Sequence, residues 1–151
     1  MERRKNFFSH LPPYASRLLS SARVAHLATA DARGRPHVVP ICFAIDGDKL
    51  FTPLDAKPKK RAPLKLKRVR NIAANPHAAI VVDHYEEDWR RLGYVLLNGK
   101  AKLLCRGARH RRAVRSLKAK YSQYRAMDID DSPLIAVTVE HGYIWISNPA
   151  K

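Results

Sequence analysis

The chain of 151 residues contains only two cysteines and no long apolar run. Cys42 and Cys105 lie far apart in apolar, strand-like segments without a histidine or cysteine at ligand spacing. We therefore expect two buried free thiols and no metal site. No stretch approaches the roughly 18 apolar residues of a membrane span. After the basic start, only Phe7 and Phe8 precede polar residues and prolines, which is too short for a signal-peptide core. We expect a cytoplasmic protein with no membrane partner.

The six glycines form none of the motifs that hold nucleotides or catalytic groups. The sequence has no Gly-x-Gly-x-x-Gly fingerprint, no phosphate-binding loop, no Gly-x-Ser-x-Gly elbow and no His-Glu-x-x-His. No catalytic side chain can therefore be assigned from a motif. We expect any chemistry to reside in a bound cofactor, with the protein supplying binding and orientation.

Acidic residues are also few, because 13 Asp and Glu stand against 29 Lys and Arg, for a net charge of +16. Two segments, 57–70 and 106–125, each carry eight basic residues and no acidic one. The first follows a strand-like segment and opens a helix-like one. Lys57 and Lys59 thus lie where side-chain charge, loop amides and the helix dipole can converge on a phosphate, although a solvated helix face has the same composition. The second segment is predicted to be the solvated face of a helix.

Excess positive charge also attracts nucleic acid. The basic segments lack the interleaved aromatic residues that stack on bases, and the sequence has no zinc-finger, homeodomain or RNA-recognition signature. A basic nucleic-acid-binding module is therefore kept as the alternative from another functional class, and the sequence argues against it.

Periodicity and turn residues predict a helix, three strands, a helix, two strands, a helix and a last strand. The helices are placed at 9–22, from Pro63 to Asn75, and at 109–125. The strands are placed at 24–29, 38–45, 49–52, 78–82, 94–104 and 134–146. Short hairpins between strands indicate a mainly β fold of the α+β type, with six antiparallel strands that can close into a small barrel. We find no linker that would divide residues 1–151 into two domains.

Several residues mark irregular positions in these strands. Pro40 cannot donate to a ladder, so it indicates an edge, a bulge or a place where a ligand replaces a neighbouring strand. Turns are expected at 31–34 and 46–48, and breaks or bends at Asn98-Gly99 and His141-Gly142. His37 borders the Pro40 stretch and is a weaker candidate for a ligand contact.

An ordered set of short motifs resembles the pyridoxamine 5′-phosphate oxidase-like flavin-binding split barrels. These motifs are ARVAHLAT at 22–29, GRPHVVPI at 34–41, LFT at 50–52, KPK at 57–59 and RNIAANP at 70–76. The continuation VVDHY at 81–85 with DW at 88–89 is similar to the branch of probable F420-dependent (deazaflavin) oxidoreductases. The resemblance implies a homodimer of six-stranded split barrels with flanking helices, and two cofactors in grooves between the protomers.

The resemblance also implies which residues hold the cofactor. The backbone of Pro40, Ile41 and Cys42 would meet the polar edge of the ring, and the hydroxyl of Thr52 would add a contact to the ring or its ribityl chain. The phosphate would be bound by Lys57 and Lys59, with Lys60, Arg61 and Asn71 beside them. Trp89 and Arg90 would approach the cofactor from the second protomer.

The function implied is hydride transfer between coenzyme F420 and a small molecule that the sequence does not identify. FMN is the alternative cofactor. FMN ends in one phosphate, whereas F420 adds a phosphodiester and a polyglutamate tail, so a tract of eight basic residues favours F420. The proton would come from water, Tyr85 or His84.

Overall fold

A computed structural model describes residues 6–54 and 65–147 of the chain. Its strands are β1 (Ala25–Ala30), β2 (Pro36–Ile41), β3 (Ala44–Asp46), β4 (Lys49–Pro53), β5 (His77–His84), β6 (Gly93–Leu104) and β7 (Leu134–Ile146). Its helices are α1 (Pro13–Ser21), α2 (Lys67–Ala74), α3 (Ala108–Lys120) and α4 (Gln123–Ala126), with 3-10 turns at Phe7–His10 and Trp89–Arg91. None of the helices described is long and apolar enough to cross a membrane.

The strands form one antiparallel sheet in the order β2-β1-β5-β6-β7-β4-β3. β2 and β3 lie at opposite edges of this sheet, yet only Cys42 and Phe43 separate them along the chain. A link of that length spans roughly 10 Å. The sheet must therefore curl until its two edges approach each other, which makes it a half-barrel with flanking helices.

The expectation of six strands is wrong, because the segment predicted as one strand at 38–45 is two strands on opposite edges. The chain leaves the sheet at Cys42 and Phe43 and re-enters it at Ala44. Phe43 is fully buried, and its backbone N–H donates to the Tyr121 hydroxyl at 3.1 Å. Closure of the barrel thus interrupts a continuous apolar run, and the described residues contain seven strands.

The helix predicted at 109–125 is also interrupted. α3 ends at Lys120, and Tyr121 adopts an extended conformation with φ −118° and ψ 112° before the short α4. The Tyr121 hydroxyl accepts the Phe43 N–H and donates to the Arg23 carbonyl at 3.0 Å. Tyr121 leaves the helix and bridges two distant segments.

The other two helices are shorter than predicted. The segment 9–22 contains a 3-10 turn up to His10 and then α1 from Pro13 to Ser21. α2 begins at Lys67, after an extended Leu66, and ends at Ala74 with Asn75 as its cap, as the Asn75-Pro76 step predicts, while Pro63 lies outside the described residues.

The break predicted at His141-Gly142 is wrong, because β7 continues to Ile146. The irregularity lies one position earlier: His141 pairs with Asn98 and Val139 with Gly99, so Glu140 is the extra residue of a bulge. The irregularity expected at Asn98-Gly99 is confirmed. A Cβ at Gly99 would overlap the backbone carbonyl of Thr138, which explains glycine at this position.

The two turns predicted from their residues are confirmed. Gly34 has φ +78° in the β1–β2 turn, and Gly47 has φ +64° in the β3–β4 hairpin. The Asp31 carboxylate accepts the N–H groups of Arg33 and Arg35 and the Arg35 guanidinium. Hydrogen bonds from Arg35 lower the pKa of Asp31 to about 2. The carboxylate is therefore ionised in this turn at neutral pH.

The sheet buries its two faces differently. The inner face of the barrel joins α1 and α2 in the main core, through residues such as Leu27, Ile80, Val95 and Leu97. Along β4 and the start of β7 the outer face is covered as well, because Phe51, Leu134 and Ala136 pack with Ala113, Val114 and Leu117 of α3 in a second core. α3 therefore covers only the part of the outer face near β3 and β4.

The second basic segment is not simply a solvated face. Arg109 donates to the Asp46 carbonyl at 2.9 Å and to Asp48 at 3.2 Å, and Arg112 contacts the Asp46 carboxylate at 2.8 Å. These contacts attach α3 to the β3–β4 hairpin. Arg111 and Arg115 are exposed, as predicted.

The expectation of two buried thiols is wrong for Cys105. Both cysteines are free, but Cys105 is exposed and Cys42 is half-buried. β6 ends at Leu104, so Cys105 begins the loop to α3 instead of continuing a buried strand.

Candidate functional site

The open edge of β2 is the first element of the candidate site. Among the strands described, β2 pairs with β1 and has no neighbour on its other side. Of the three alternatives that the sequence left open for Pro40, the structure shows an edge. An edge strand presents unpaired backbone N–H and C=O groups, which can bind the polar rim of a ligand. The edge remains open up to Ile41, where the chain turns toward β3.

Three predicted cofactor residues are consecutive at the end of this edge. Pro40 is exposed and is paired with His26, whereas the Ile41 side chain is buried in the main core. Cys42 is half-buried and lines a cavity of about 270 Å³ together with Tyr121 and Tyr124. At this point the chain therefore offers a ligand its backbone and the Cys42 thiol.

A polar group lies on the inner face beside the same strand. Asn71 of α2 is 1% exposed, and its side-chain N–H donates to the Thr29 hydroxyl at 3.0 Å. His37 is the register partner of Thr29, and its Nδ1 is buried without a hydrogen-bond partner among the residues described. This hydrogen bond from Asn71 links α2 to β1. The predicted contact of Asn71 with a phosphate stays a prediction.

The remaining predicted residues are spread around the barrel. Thr52 is 2% exposed and is paired with Ile135 of β7, so its side chain is buried in the barrel. Lys57, Lys59, Lys60 and Arg61 lie outside the described residues, so their phosphate role stays a prediction.

Trp89 and Arg90 lie on the loop that follows β5. Trp89 is 77% exposed. Arg90 donates to both carboxylate oxygens of Asp88, at 3.0 and 3.2 Å, and this pairing lowers the pKa of Asp88. Arg90 and His84 also line a cavity of about 440 Å³. The contact of Trp89 and Arg90 with a cofactor held by a second protomer stays a prediction.

Sequence reasoning missed a broad apolar surface on the uncovered part of the outer face. Residues paired across antiparallel strands share a face, so the strand register defines this surface. We call it the outer patch; it consists of three rows, Pro40–His26–Val81–Leu96–Tyr143, Val38–Ala28–Ala79–Asn98–His141 and Asp83–Tyr94–Trp145. Val38 is 63% and Tyr143 is 55% exposed.

Aromatic side chains dominate one end of the outer patch. Tyr94 stacks on Trp145 with ring centroids 5.7 Å apart, and Tyr143 lies 6.0 Å from Tyr94. The sequence contains a signal for this surface: in the first half of β6, from Tyr94 to Leu97, the side chains of both faces are apolar, as in strands buried on both sides.

Comparison with known proteins identifies the family. The profile of the family described as pyridoxamine 5′-phosphate oxidase matches residues 11–146. The chain belongs to this family.

One similar protein is described as a reductase. It is a 5a,11a-dehydrotetracycline/5a,11a-dehydrooxytetracycline reductase of Streptomyces rimosus subsp. rimosus, 34% identical over 87 residues. The match covers 57% of this chain and 58% of the relative, so it spans little more than half of that protein.

Solved structures of similar fold carry different descriptions. A conserved hypothetical protein from Mycobacterium tuberculosis has a TM-score of 0.71 at 14% identity, covering 97% of this chain and 91% of its own. The heme storage protein HutZ from Vibrio cholerae has a TM-score of 0.70 at 17% identity, covering 91% of this chain and 94% of its own. At these identities the likeness establishes the fold and leaves the cofactor open.

Proposed function

We propose that this chain is an oxidoreductase that binds coenzyme F420 and transfers hydride between F420 and a small organic molecule. FMN is the alternative cofactor. One observation carries the proposal: a pyridoxamine 5′-phosphate oxidase family chain presents an open strand edge, ending at Pro40–Cys42, beside a large uncovered apolar face. The relative described as a reductase supports redox chemistry on a small molecule.

The residues present fit a flat, polar-rimmed cofactor with an anionic tail. The unpaired backbone of β2 can bind the rim of a ring, and His37 offers a buried nitrogen that has no partner in the described part of the chain. Exposed Lys65, Lys67 and Arg70 continue the basic segment that begins with Lys57. This charge exceeds what the single phosphate of FMN requires, so we favour F420.

The chain's own task is to bind, orient and shield. When bound, the cofactor supplies or accepts the hydride. The protein contributes the rigid barrel edge that aligns the reactants and an apolar surface that excludes water. His84 lies 3.6 Å from Glu86, and Tyr85 is 60% exposed. Either side chain can deliver a proton to the substrate, and so can water.

The outer patch supports a homodimer as part of this proposal. A second copy bound across the outer patch would cover Val38 and Tyr143. Trp89, 77% exposed, would then have a surface to contact. Aromatic residues of this kind are enriched at the centres of protein interfaces.

Tyr143→Glu tests the dimer. We expect the dissociation constant of the dimer to rise by about tenfold or more, because the substitution buries a charge in place of an aromatic ring. Analytical ultracentrifugation measures this change. The control is Ala126→Glu, which introduces the same glutamate at an exposed position of α4. We expect this variant to associate like the wild-type protein. A monomeric wild-type protein, or equal dimerisation of the two variants, would remove the outer patch from the proposal.

The cofactor is tested by titrating cofactor-free protein with F420, FMN and hemin. We expect saturable F420 binding in the micromolar range, followed by the fluorescence of the deazaflavin, and weaker FMN binding. Tighter FMN binding would select the alternative cofactor. Hemin is included because HutZ shares this fold. Saturable binding of hemin, with no binding of F420 or FMN, would contradict the proposal. Steeply salt-dependent binding to DNA or RNA, with no cofactor bound, would instead favour a nucleic-acid module.

A further inference from the structure

A separate cleft, of about 640 Å³, lies among α1, β3 and α3. α1 contributes Leu19 and Ser16 to its wall, β3 contributes Ala44 and Ile45, and α3 contributes Lys120. None of the residues predicted to hold the cofactor lines this cleft within the described part of the chain. Its volume is in the range of small-molecule sites, and its wall combines apolar side chains with a few polar groups.

Two cations converge at one side of the cleft. Arg23 and Lys120 both line it, and both lie against Tyr121: the Arg23 Cζ is 4.7 Å and the Lys120 Nζ is 5.4 Å from the ring centroid. Lys120 Nζ is also 3.6 Å from the centroid of Phe43 and donates to the Leu19 carbonyl at 3.3 Å. That hydrogen bond uses one of the three N–H donors of the ammonium group.

Three other basic residues of α3 have acidic partners, whereas Arg23 and Lys120 share one cleft without one. Lys118 pairs with Asp130, and Arg109 and Arg112 pair with Asp46. Among residues 6–54 and 65–147, no ion pair includes Arg23 or Lys120, and no acidic side chain lines the cleft. Positive charge is therefore concentrated there without compensation.

The environment of the two cations affects the pKa of Lys120. Burial, together with the charge of Arg23, lowers the pKa of Lys120 to about 8. Lys120 is still mostly protonated at neutral pH, so two like charges share a partly desolvated wall. A bound anion would relieve both the repulsion and the desolvation.

The carbonyl ends of two helices lie near the cations. α1 ends at Ser21 and α3 ends at Lys120, and the partial negative charge of these ends offsets part of the positive charge of Arg23 and Lys120. The apolar side chains of Leu19 and Ile45 offer contact to a hydrocarbon body.

We propose that this cleft binds an organic carboxylate, with Arg23 and Lys120 holding the carboxylate and Leu19 and Ile45 contacting its apolar body. The planar guanidinium of Arg23 suits a two-pronged hydrogen bond to a carboxylate. The ammonium of Lys120 supplies the second charge.

The test uses 11-(dansylamino)undecanoic acid and its methyl ester as matched probes, followed by dansyl fluorescence at neutral pH. The wild-type protein is expected to bind the acid saturably and the uncharged ester about tenfold or more weakly. Lys120→Met retains the apolar stem and should weaken binding of the acid by about tenfold. Lys118→Met, on the same helix but outside the cleft, should leave it unchanged.

Arg23→Gln is the second cleft variant, so the test does not depend on Lys120→Met being folded. Circular dichroism and a melting curve are recorded for each variant. Binding of the acid with wild-type affinity by folded Lys120→Met or Arg23→Gln would overturn the proposal, as would equal binding of acid and ester. F420 binding should be the same in Lys120→Met and Lys118→Met as in the wild-type protein, because neither lysine is assigned to the cofactor. Arg23→Gln is left out of this comparison, since Arg23 also lines the cavity beside Cys42.

Discussion

The double variant Lys57→Ala/Lys59→Ala is expected to bind F420 about 30-fold or more weakly than the wild-type protein. Each charged hydrogen bond to a phosphate contributes about 1–3 kcal/mol, so the loss of two amounts to about 2–6 kcal/mol. Both residues lie outside the described part of the chain, and the expectation rests on their place between a strand and a basic helix. Fluorescence titration with F420 measures the change in dissociation constant.

The matched control for this variant is Arg111→Ala/Arg115→Ala, which removes the same charge from the exposed face of α3. Loss of general electrostatic attraction would affect both variants equally and would be reduced by added salt. A specific phosphate site is affected only by the first variant. Unchanged F420 binding in Lys57→Ala/Lys59→Ala would show that the phosphate is held elsewhere.

Phe43→Ala is expected to lower the free energy of unfolding by about 3–5 kcal/mol, the usual cost of removing a buried phenyl ring. Phe43 is fully buried and lies in the link between β2 and β3. The Lys120 ammonium nitrogen is 3.6 Å from the centroid of its ring. The loss therefore combines a cavity with a weakened barrel closure. Urea unfolding at a fixed protein concentration measures it, since dimerisation would make the midpoint depend on concentration.

Phe8→Ala provides the comparison, because Phe8 is only half-buried and packs at the margin of the main core. We expect it to cost clearly less than Phe43→Ala. Similar losses for the two variants would mean that the connection between β2 and β3 does not contribute to stability beyond its buried area.

Local sequence signals predicted the elements whose causes are local. Gly34 and Gly47 occupy turns that require positive φ, and the Asn75-Pro76 step ends α2. Pro40 indicated an edge because proline lacks an N–H, and the structure places β2 at the edge of the sheet. These outcomes depend on one or two neighbouring residues, so the sequence was sufficient to predict them.

The predictions that were wrong concern elements that depend on contacts between residues far apart in the chain. Nothing near Cys42 and Phe43 resembles a turn, and the break there follows from barrel closure. Tyr121 continues the helical apolar stripe, but its hydroxyl bridges Arg23 and Phe43, which are 98 and 78 residues away. Periodicity within one segment does not report such contacts.

The same distinction between local signals and distant contacts applies to the candidate site. The sequence limited the Pro40 segment to an edge, a bulge or a place where a ligand replaces a strand, because that follows from one residue. The outer patch was missed because its rows combine residues of five strands, and only the register aligns Tyr143 with Pro40. Lys120 was predicted to be on a solvated face, yet it is half-buried because Phe43 packs beneath its ammonium group.

The position of β7 has a consequence for how the chain folds during synthesis. The β3–β4 hairpin joins the rest of the sheet by pairing with β7, from Lys49 opposite Thr138 to Pro53 opposite Leu134. About 80 residues separate Pro53 from Leu134, so at typical elongation rates the hairpin leaves the ribosome roughly 4–16 s before its partner strand. During that interval the apolar Leu50 and Phe51 lack their β7 neighbours. Completion of the barrel is therefore a late event of high contact order, and the nascent hairpin is the segment that a chaperone would protect.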